Sequence, residues 1–301
     1  MVQDKGSPLL DPLHLSRIED LSLLARVVVE GNYSGLHRSR KHGQGTEFFQ
    51  YRSYEPGEDL KRVDWKVYAK SKHLVSKTYQ ESTHSNLILV LDGSASMGYQ
   101  GDGSACSKFR YSQMLAACLL YLGYRQGDRL GLLCGSKSRA DWMFPHGGRE
   151  SFNSILKMIG SMHPNGEDFE EPAWNQFKSK LPSQGTVVVI SDFLENENQL
   201  EKYLNFASSN RYDCICFQVI DPMEEVLPQD EAVRFIHMEG EGEVSLSPER
   251  IRNEYKARFS EYIDKLGLIL AKTGAELCTL RTNEDLGFAI RRFLSVRGIG
   301  K

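Results

Sequence analysis

The chain is poor in several things that would narrow its function at once. It has no apolar run approaching the roughly 20 residues of a membrane span, and its start, MVQDKGSPLLDP, lacks the basic-then-apolar pattern of an export signal. It has little excess charge: 37 Lys and Arg against 40 Asp and Glu, a formal net charge of -3, give no global case for nucleic acid or for an anionic membrane surface. It has only six cysteines, Cys106, Cys118, Cys134, Cys214, Cys216 and Cys278. Without an export signal these read as reduced thiols and the compartment as cytoplasmic. Cys214 and Cys216 fall on one face of an apparent strand, but with no second Cys or His pair nearby they read as core, not as a zinc knuckle. No G-x-x-x-x-G-K-[ST] run is present, and Gly43-x-Gly45 and Gly240-x-Gly242 lack a βαβ context, so they read as turns. There is no internal repeat and no low-complexity tract.

What is present is a patterned chain of 301 residues, 40% hydrophobic, long enough for a large core. The most informative run is DGSASM at Asp92–Met97, directly after the apolar strand Leu87–Leu91. A short, wholly apolar run reads as a strand buried on both faces of a parallel sheet. At its carboxyl end, Asp92, Ser94 and Ser96 set three oxygen-bearing side chains at alternate positions, at the edge where open α/β sheets bind ligands. An all-oxygen donor set with one carboxylate suits a hard cation such as Mg²⁺ (or Mn²⁺), which keeps open positions for a partner's acid. Asp-Gly followed by serines is also ordinary turn and helix-cap chemistry. A second strand, within TVVVISDFL at Thr186–Leu194, likewise runs into an acid, Asp192. If the two strands are neighbours, Asp92 and Asp192 converge.

The rest of the pattern predicts a helix over Asp11–Val29, strands Glu47–Tyr54 and Leu74–Glu81, and between them a helix Leu60–Lys70 capped by Asp59. From Leu87 onward strands and helices alternate: helix Phe109–Arg125, strands Arg129–Cys134 and Ala140–Phe144, helices Arg149–Ile159 and Pro172–Lys180, strand Thr186–Ile190, helix Asn198–Ser209 and strand Asp213–Val219. An edge strand Val233–His237, a long helix Arg250–Thr273, strand Glu276–Leu280 and helix Leu286–Arg297 complete it. Such alternation predicts an α/β fold, a Rossmann-like, mostly parallel sheet flanked by helices. Residues 1–85 read as an N-terminal α+β extension and residues 86–301 as the sheet domain. The basic cluster His37–His42 reads as a solvated loop.

Several separated motifs occur in order: R-x-Y-x-P-G-x-D (Arg52, Tyr54, Pro56, Gly57, Asp59), R-x-D-W (Arg62, Asp64, Trp65), D-x-S-x-S, G-D-R at Gly127–Arg129 and S-D-F at Ser191–Phe193. Together they resemble the bacterial family called domain of unknown function 58, over about Gly31 to Arg297. The resemblance implies a von Willebrand factor type A-like domain with a metal-ion-dependent adhesion site. Asp92, Ser94 and Ser96 would match its first-loop ligands and Asp192 its third-loop acid. It also implies a non-catalytic interaction role beside a MoxR-type AAA+ ATPase. Glu167, in Gly166-Glu167-Asp168, stands where such sites draw a threonine, which puts that loop's contribution in doubt. The Arg52–Trp65 motif reads as a turn with its packing and an Arg62–Asp64 ion pair, docking the N-terminal segment onto the sheet. One enzyme reading competes, a serine hydrolase with Ser96, Asp192 and His237 in hydrolase chain order. The polar, glycine-bearing loop Tyr99–Ser107 argues against it, because a nucleophile elbow needs its helix at once. A structural domain with a degenerate metal site is the third reading.

Overall fold

The computed structural model describes residues 11–32, 47–55, 63–80, 85–136, 139–165, 171–194, 197–226, 233–236, 243–246 and 248–297. The chain divides into two compact units, Met1–Gly35 with Ser85–Lys301, and Leu36–His84. The first expected helix is in fact two. Asp11 caps α1 (Pro12–Leu15) by accepting from Leu13 N–H. Asp20 then accepts from the N–H groups of Ser22 and Leu23 at 2.8 and 3.2 Å and starts α2 (Leu21–Asn32). The second cap satisfies amides at the start of a new helix, which is why the chain breaks there. Leu21, Leu24, Ala25 and Val28 form the buried face of α2, as their spacing predicts.

In the smaller unit, β1 (Glu47–Ser53) pairs antiparallel with β2 (Val75–Gln80), and α3 (Trp65–Ser71) lies between them in sequence. This helix begins later than the sequence pattern predicts. Val63 is in a β-bridge with Ser76, which demands extended backbone, so helical geometry starts only after Asp64. Asp64 is the cap, accepting from Lys66 and Val67 N–H at 2.9 and 3.2 Å. The expected cap, Asp59, lies outside the described residues.

The larger unit continues with β3 (Asn86–Asp92), α4 (Lys108–Gln126), β4 (Arg129–Ser136), β5 (Arg139–His146), α5 (Arg149–Ser161) and α6 (Glu171–Lys178). Then come β6 (Gly185–Ser191), α7 (Glu197–Ser209), β7 (Tyr212–Ile220), α8 (Pro222–Glu225), β8 (Val233–Ile236) and β9 (Glu243–Leu246). The chain closes with α9 (Pro248–Thr273), β10 (Glu276–Arg281) and α10 (Leu286–Val296). Six strands form one sheet in the order β10-β7-β6-β3-β4-β5, all parallel except β5, which runs antiparallel to β4. This is the doubly wound order, with an antiparallel strand on one edge. Strand β8 is not on that edge. It pairs with β9 in a separate two-stranded sheet, because β10 occupies the place beside β7.

Alternation along the strands builds two cores. Leu87, Leu89 and Leu91 of β3 pack with residues of α2, α4, α5 and α10. Ile88 and Val90 point the other way, with Cys214 and Cys216 of β7, toward Phe177 of α6, Leu200 and Leu204 of α7, and Leu266 and Leu270 of α9. All six cysteines are buried. Helix α4 is buried on every side from Tyr111 to Gly123, because it lies on the sheet and is covered by α2, α5 and α10. Gly127, at φ 82°, ends it with a left-handed turn whose N–H reaches the carbonyls of Gly123 and Tyr124. Leu89 is wholly buried at the centre of the sheet. Leu89→Ala is expected to cost about 2–5 kcal/mol, read as a lowered urea midpoint. An unchanged midpoint would contradict this core assignment.

Candidate metal centre at the carboxyl edge of the sheet

The sheet order reverses at β3: the chain runs outward through β4 on one side and returns to β6 on the other. At such a switch point the loops leaving the two strands diverge and open a crevice at their carboxyl ends. Asp92 ends β3, Ser191 and Asp192 end β6, and Asp221 follows β7; all four side chains are buried. The two acids expected to converge therefore do lie at the ends of neighbouring strands.

The loop after β3 is fixed by its own backbone. Gly93 N–H donates to the Gly135 carbonyl at the end of β4 at 2.6 Å, and Asn165 N–H donates to the Gly93 carbonyl at 2.8 Å. Asp92 Oδ1 accepts from Ser94 N–H at 2.8 Å. A short 3-10 turn, Ala95–Gly98, follows, anchored by the buried Met97. This brings the hydroxyl oxygens of Ser94 and Ser96 to 3.1 Å from each other.

The loop after β6 is tied to the first by Ser191, whose hydroxyl donates to Asp92 Oδ2 at 2.6 Å and accepts from Phe193 N–H at 2.9 Å. Phe193 pays for that turn with a left-handed backbone, φ 58°, which a bulky residue adopts only where its surroundings impose it. Its carbonyl accepts from the Tyr262 hydroxyl of α9. Asp192 Oδ1 accepts from Leu194 N–H at 3.1 Å, and Oδ2 from the Lys108 ammonium at 2.7 Å. The same ammonium reaches Glu224 Oε1 at 2.6 Å. Glu224 Oε2 accepts from Asp221 N–H in the capping box of α8. Asp221 accepts from the N–H groups of Gly101 and Met223 and, at 3.4 Å, from the Thr282 hydroxyl.

Negative charge is thus in excess here. Lys108 meets Asp192 and Glu224, while Asp92 and Asp221 are met by neutral donors. Burial, reinforced by the Asp192 charge, pushes the Asp92 carboxyl up to about 6. Burial alone would lower the Lys108 ammonium, but Asp192 and Glu224 outweigh it and hold it above its ordinary value. Burial raises Glu224 despite its pairing with Lys108.

The donor set fits a hard divalent ion. It is all oxygen, and Asp92 has no cationic partner among the described residues. Adjacent ligands of an octahedral Mg²⁺ at about 2.1 Å lie about 3 Å apart, the spacing of the two serine hydroxyls, which is also a hydrogen-bond distance. No cluster of three His, Cys, Asp or Glu side chains forms a metal site among the described residues. A centre drawn half from serine hydroxyls would not form one. Glu167 lies outside the described residues.

A family model described as Protein of unknown function DUF58 matches residues 50–262. The chain belongs to that family. Uncharacterized proteins of Mycobacterium tuberculosis and Mycobacterium bovis are each 27% identical to it over 296 residues, 96% of this chain and 92% of theirs. Among solved structures, an aerotolerance-related membrane protein from Bacteroides fragilis is 16% identical, with TM-score 0.49, over 71% of this chain and 99% of its own. A von Willebrand factor type A protein from Catenulispora acidiphila is 14% identical, with TM-score 0.42, over 75% of this chain and 45% of its own. The SpRpn10 VWA domain is 10% identical, with TM-score 0.41, over 70% of this chain and 95% of its own. The architecture assigned to this DUF58 chain rests on its own strand order.

Trp65 is 55% exposed and meets Tyr68 edge-to-face, 6.1 Å between ring centres; the turn expected at Pro56-Gly57 lies outside the described residues. Asp64 caps α3. Arg52 lies in β1, with Tyr54 just beyond it, while Gly57, Asp59 and Arg62 fall outside the described residues. The hydrolase constellation finds no support in the larger unit. Ser96 sits in the 3-10 turn, α4 starts only at Lys108, and Asp192 is bonded to that lysine; His237 lies outside the described residues.

Lys108, Asp221 and Glu224 join this edge without having been singled out in the sequence, and Ser191 was marked only as the start of the S-D-F motif. Asp221 carried the same signal as the other two aspartates, an acid directly after an apolar strand. Nothing local marks Lys108, since lysine in a first helical turn is usually solvated.

Two outcomes follow for the apo protein. A Cβ on residue 93 would lie 2.8 Å from the Gly135 carbonyl oxygen, which is backbone and cannot turn aside. Gly93→Ala is therefore expected to lower the melting temperature; an unchanged melt would mean the loop is not pinned to β4. Asp92 has a folded value above its ordinary 3.8, so the stability it contributes is complete below that pH and lost as pH rises through about 6. In chelator, Asp92→Asn is expected to flatten the fall in stability between pH 4 and 6 and to melt above the wild type at pH 7. Parallel pH profiles for the two proteins would contradict it.

Proposed function

We propose that the chain is a non-catalytic protein-interaction module that works through a divalent cation, Mg²⁺ or Mn²⁺, at the carboxyl edge of the sheet. Asp92, Ser94 and Ser96 would hold the ion, with Asp192 behind them. When bound, the ion supplies a Lewis-acidic point of attachment for a carboxylate of another protein. The chain's own residues do the rest: Ser191 orients the Asp92 carboxylate, Gly93 fixes the loop against β4, and Met97 anchors the turn that carries Ser96. The observation that supports this reading best is the buried Asp92 carboxylate, without a cationic partner among the described residues, beside two hydroxyls spaced like adjacent ligands. The family resemblance points to a MoxR-type AAA+ ATPase as the protein that offers the carboxylate. No helix among the described residues is long and apolar enough to cross a membrane.

Calorimetric titration of Mg²⁺ and Mn²⁺ into the full chain tests this. Binding is expected in the wild type and a loss of at least tenfold in Asp92→Ala and Ser94→Ala. Capture of a MoxR-type ATPase is expected to fall in chelator. Capture that persists unchanged in chelator and in Asp92→Ala would refute the metal-dependent mode.

A further inference from the structure

Lys108 has no place in an all-oxygen metal centre, yet it is built into this one. It is the first residue of α4 and wholly buried. Its backbone N–H is fixed on the Tyr99 carbonyl at 3.0 Å. Its ammonium lies 2.7 Å from Asp192 and 2.6 Å from Glu224. Glu224 is itself held, by Asp221 N–H on its carboxylate and by the Tyr255 hydroxyl on its backbone carbonyl at 2.6 Å. A lysine is stable in such a place only because both its carboxylates are present and oriented.

We infer that Lys108 is a resident cation that competes with the divalent ion for Asp192 and so sets the affinity of the centre. This rests on the metal reading above and goes beyond it. Asp192 has one oxygen on Lys108 and the other on Leu194 N–H, so the strongest third-loop donor is already engaged. With the ammonium in place, Asp92 is the one carboxylate of the pair left to the metal, and a fixed positive charge stands beside the entering cation. Both effects weaken divalent binding. The centre then holds its ion firmly only when a partner's carboxylate adds a ligand and a negative charge, so ion and partner bind together.

The test is Mn²⁺ titration by calorimetry into the full chain, comparing wild type, Lys108→Met, Lys108→Met/Asp192→Asn and Asp92→Ala. Lys108→Met is expected to bind Mn²⁺ at least tenfold more tightly than wild type. The added Asp192→Asn is expected to remove most of that gain. The melting temperature of Lys108→Met is expected to rise steeply with Mn²⁺, because the metal replaces the missing ammonium. If Lys108→Met does not fold, Lys108→Gln, whose amide still donates a hydrogen bond but carries no charge, makes the same comparison. Equal or weaker binding by the variant, with Asp92-dependent binding in the wild type, would overturn the inference and leave the metal reading standing. No binding by any of these proteins would overturn both.

Discussion

Buried carboxylates at the carboxyl ends of parallel strands are the constraint on which the rest of this edge depends. Three strands of the central sheet, β3, β6 and β7, end in or run directly into aspartates, and a buried carboxylate must be bonded or neutralised. Each loop that leaves the sheet is shaped by meeting that demand. The turn after β3 folds its backbone onto Asp92, and Ser191 crosses from β6 to take the second oxygen. The amides of Gly101 and Met223 and the hydroxyl of Thr282 close around Asp221. Asp192 draws in the ammonium of Lys108.

The same demand joins the helices to the site. Helix α4 is buried along most of its length, and its first residue carries the ammonium that bridges Asp192 and Glu224. Helix α9 places two tyrosines over the loops, one on the Glu224 carbonyl and one on that of Phe193. Behind them a buried polar relay runs inward from β10: the Thr279 hydroxyl donates to Gln218 Oε1, and Gln218 Nε2 donates to the Asp192 carbonyl. A change at the acidic edge is therefore felt by elements on both faces of the sheet.

Much of the fold was legible in the sequence because buried parallel strands and the helices between them leave strong, separate patterns. Leu87–Leu91 and Thr186–Ile190 could be read as neighbours running into acids, and they pair in the sheet. What misled was local chemistry that competes with periodicity. Asp20 split one apolar helical stripe into two helices, and the bridge at Val63 delayed α3 past its expected cap. The run Val233–His237 read as an edge strand, but strand pairing is decided by which neighbour remains open, and β10 takes the place beside β7. In the site, D-x-S-x-S and Asp192 were legible because each sits at the end of an apolar run. Lys108 was not, since its burial depends on Glu224, 116 residues away in the chain.

The most direct test of the account is a crystal structure of the full chain grown with Mn²⁺ and measured at the manganese absorption edge. The account predicts one anomalous peak among the side-chain oxygens of Asp92, Ser94 and Ser96, with the Lys108 ammonium still on Asp192. A map without a peak there at saturating Mn²⁺, or with the ion bound elsewhere, would contradict it.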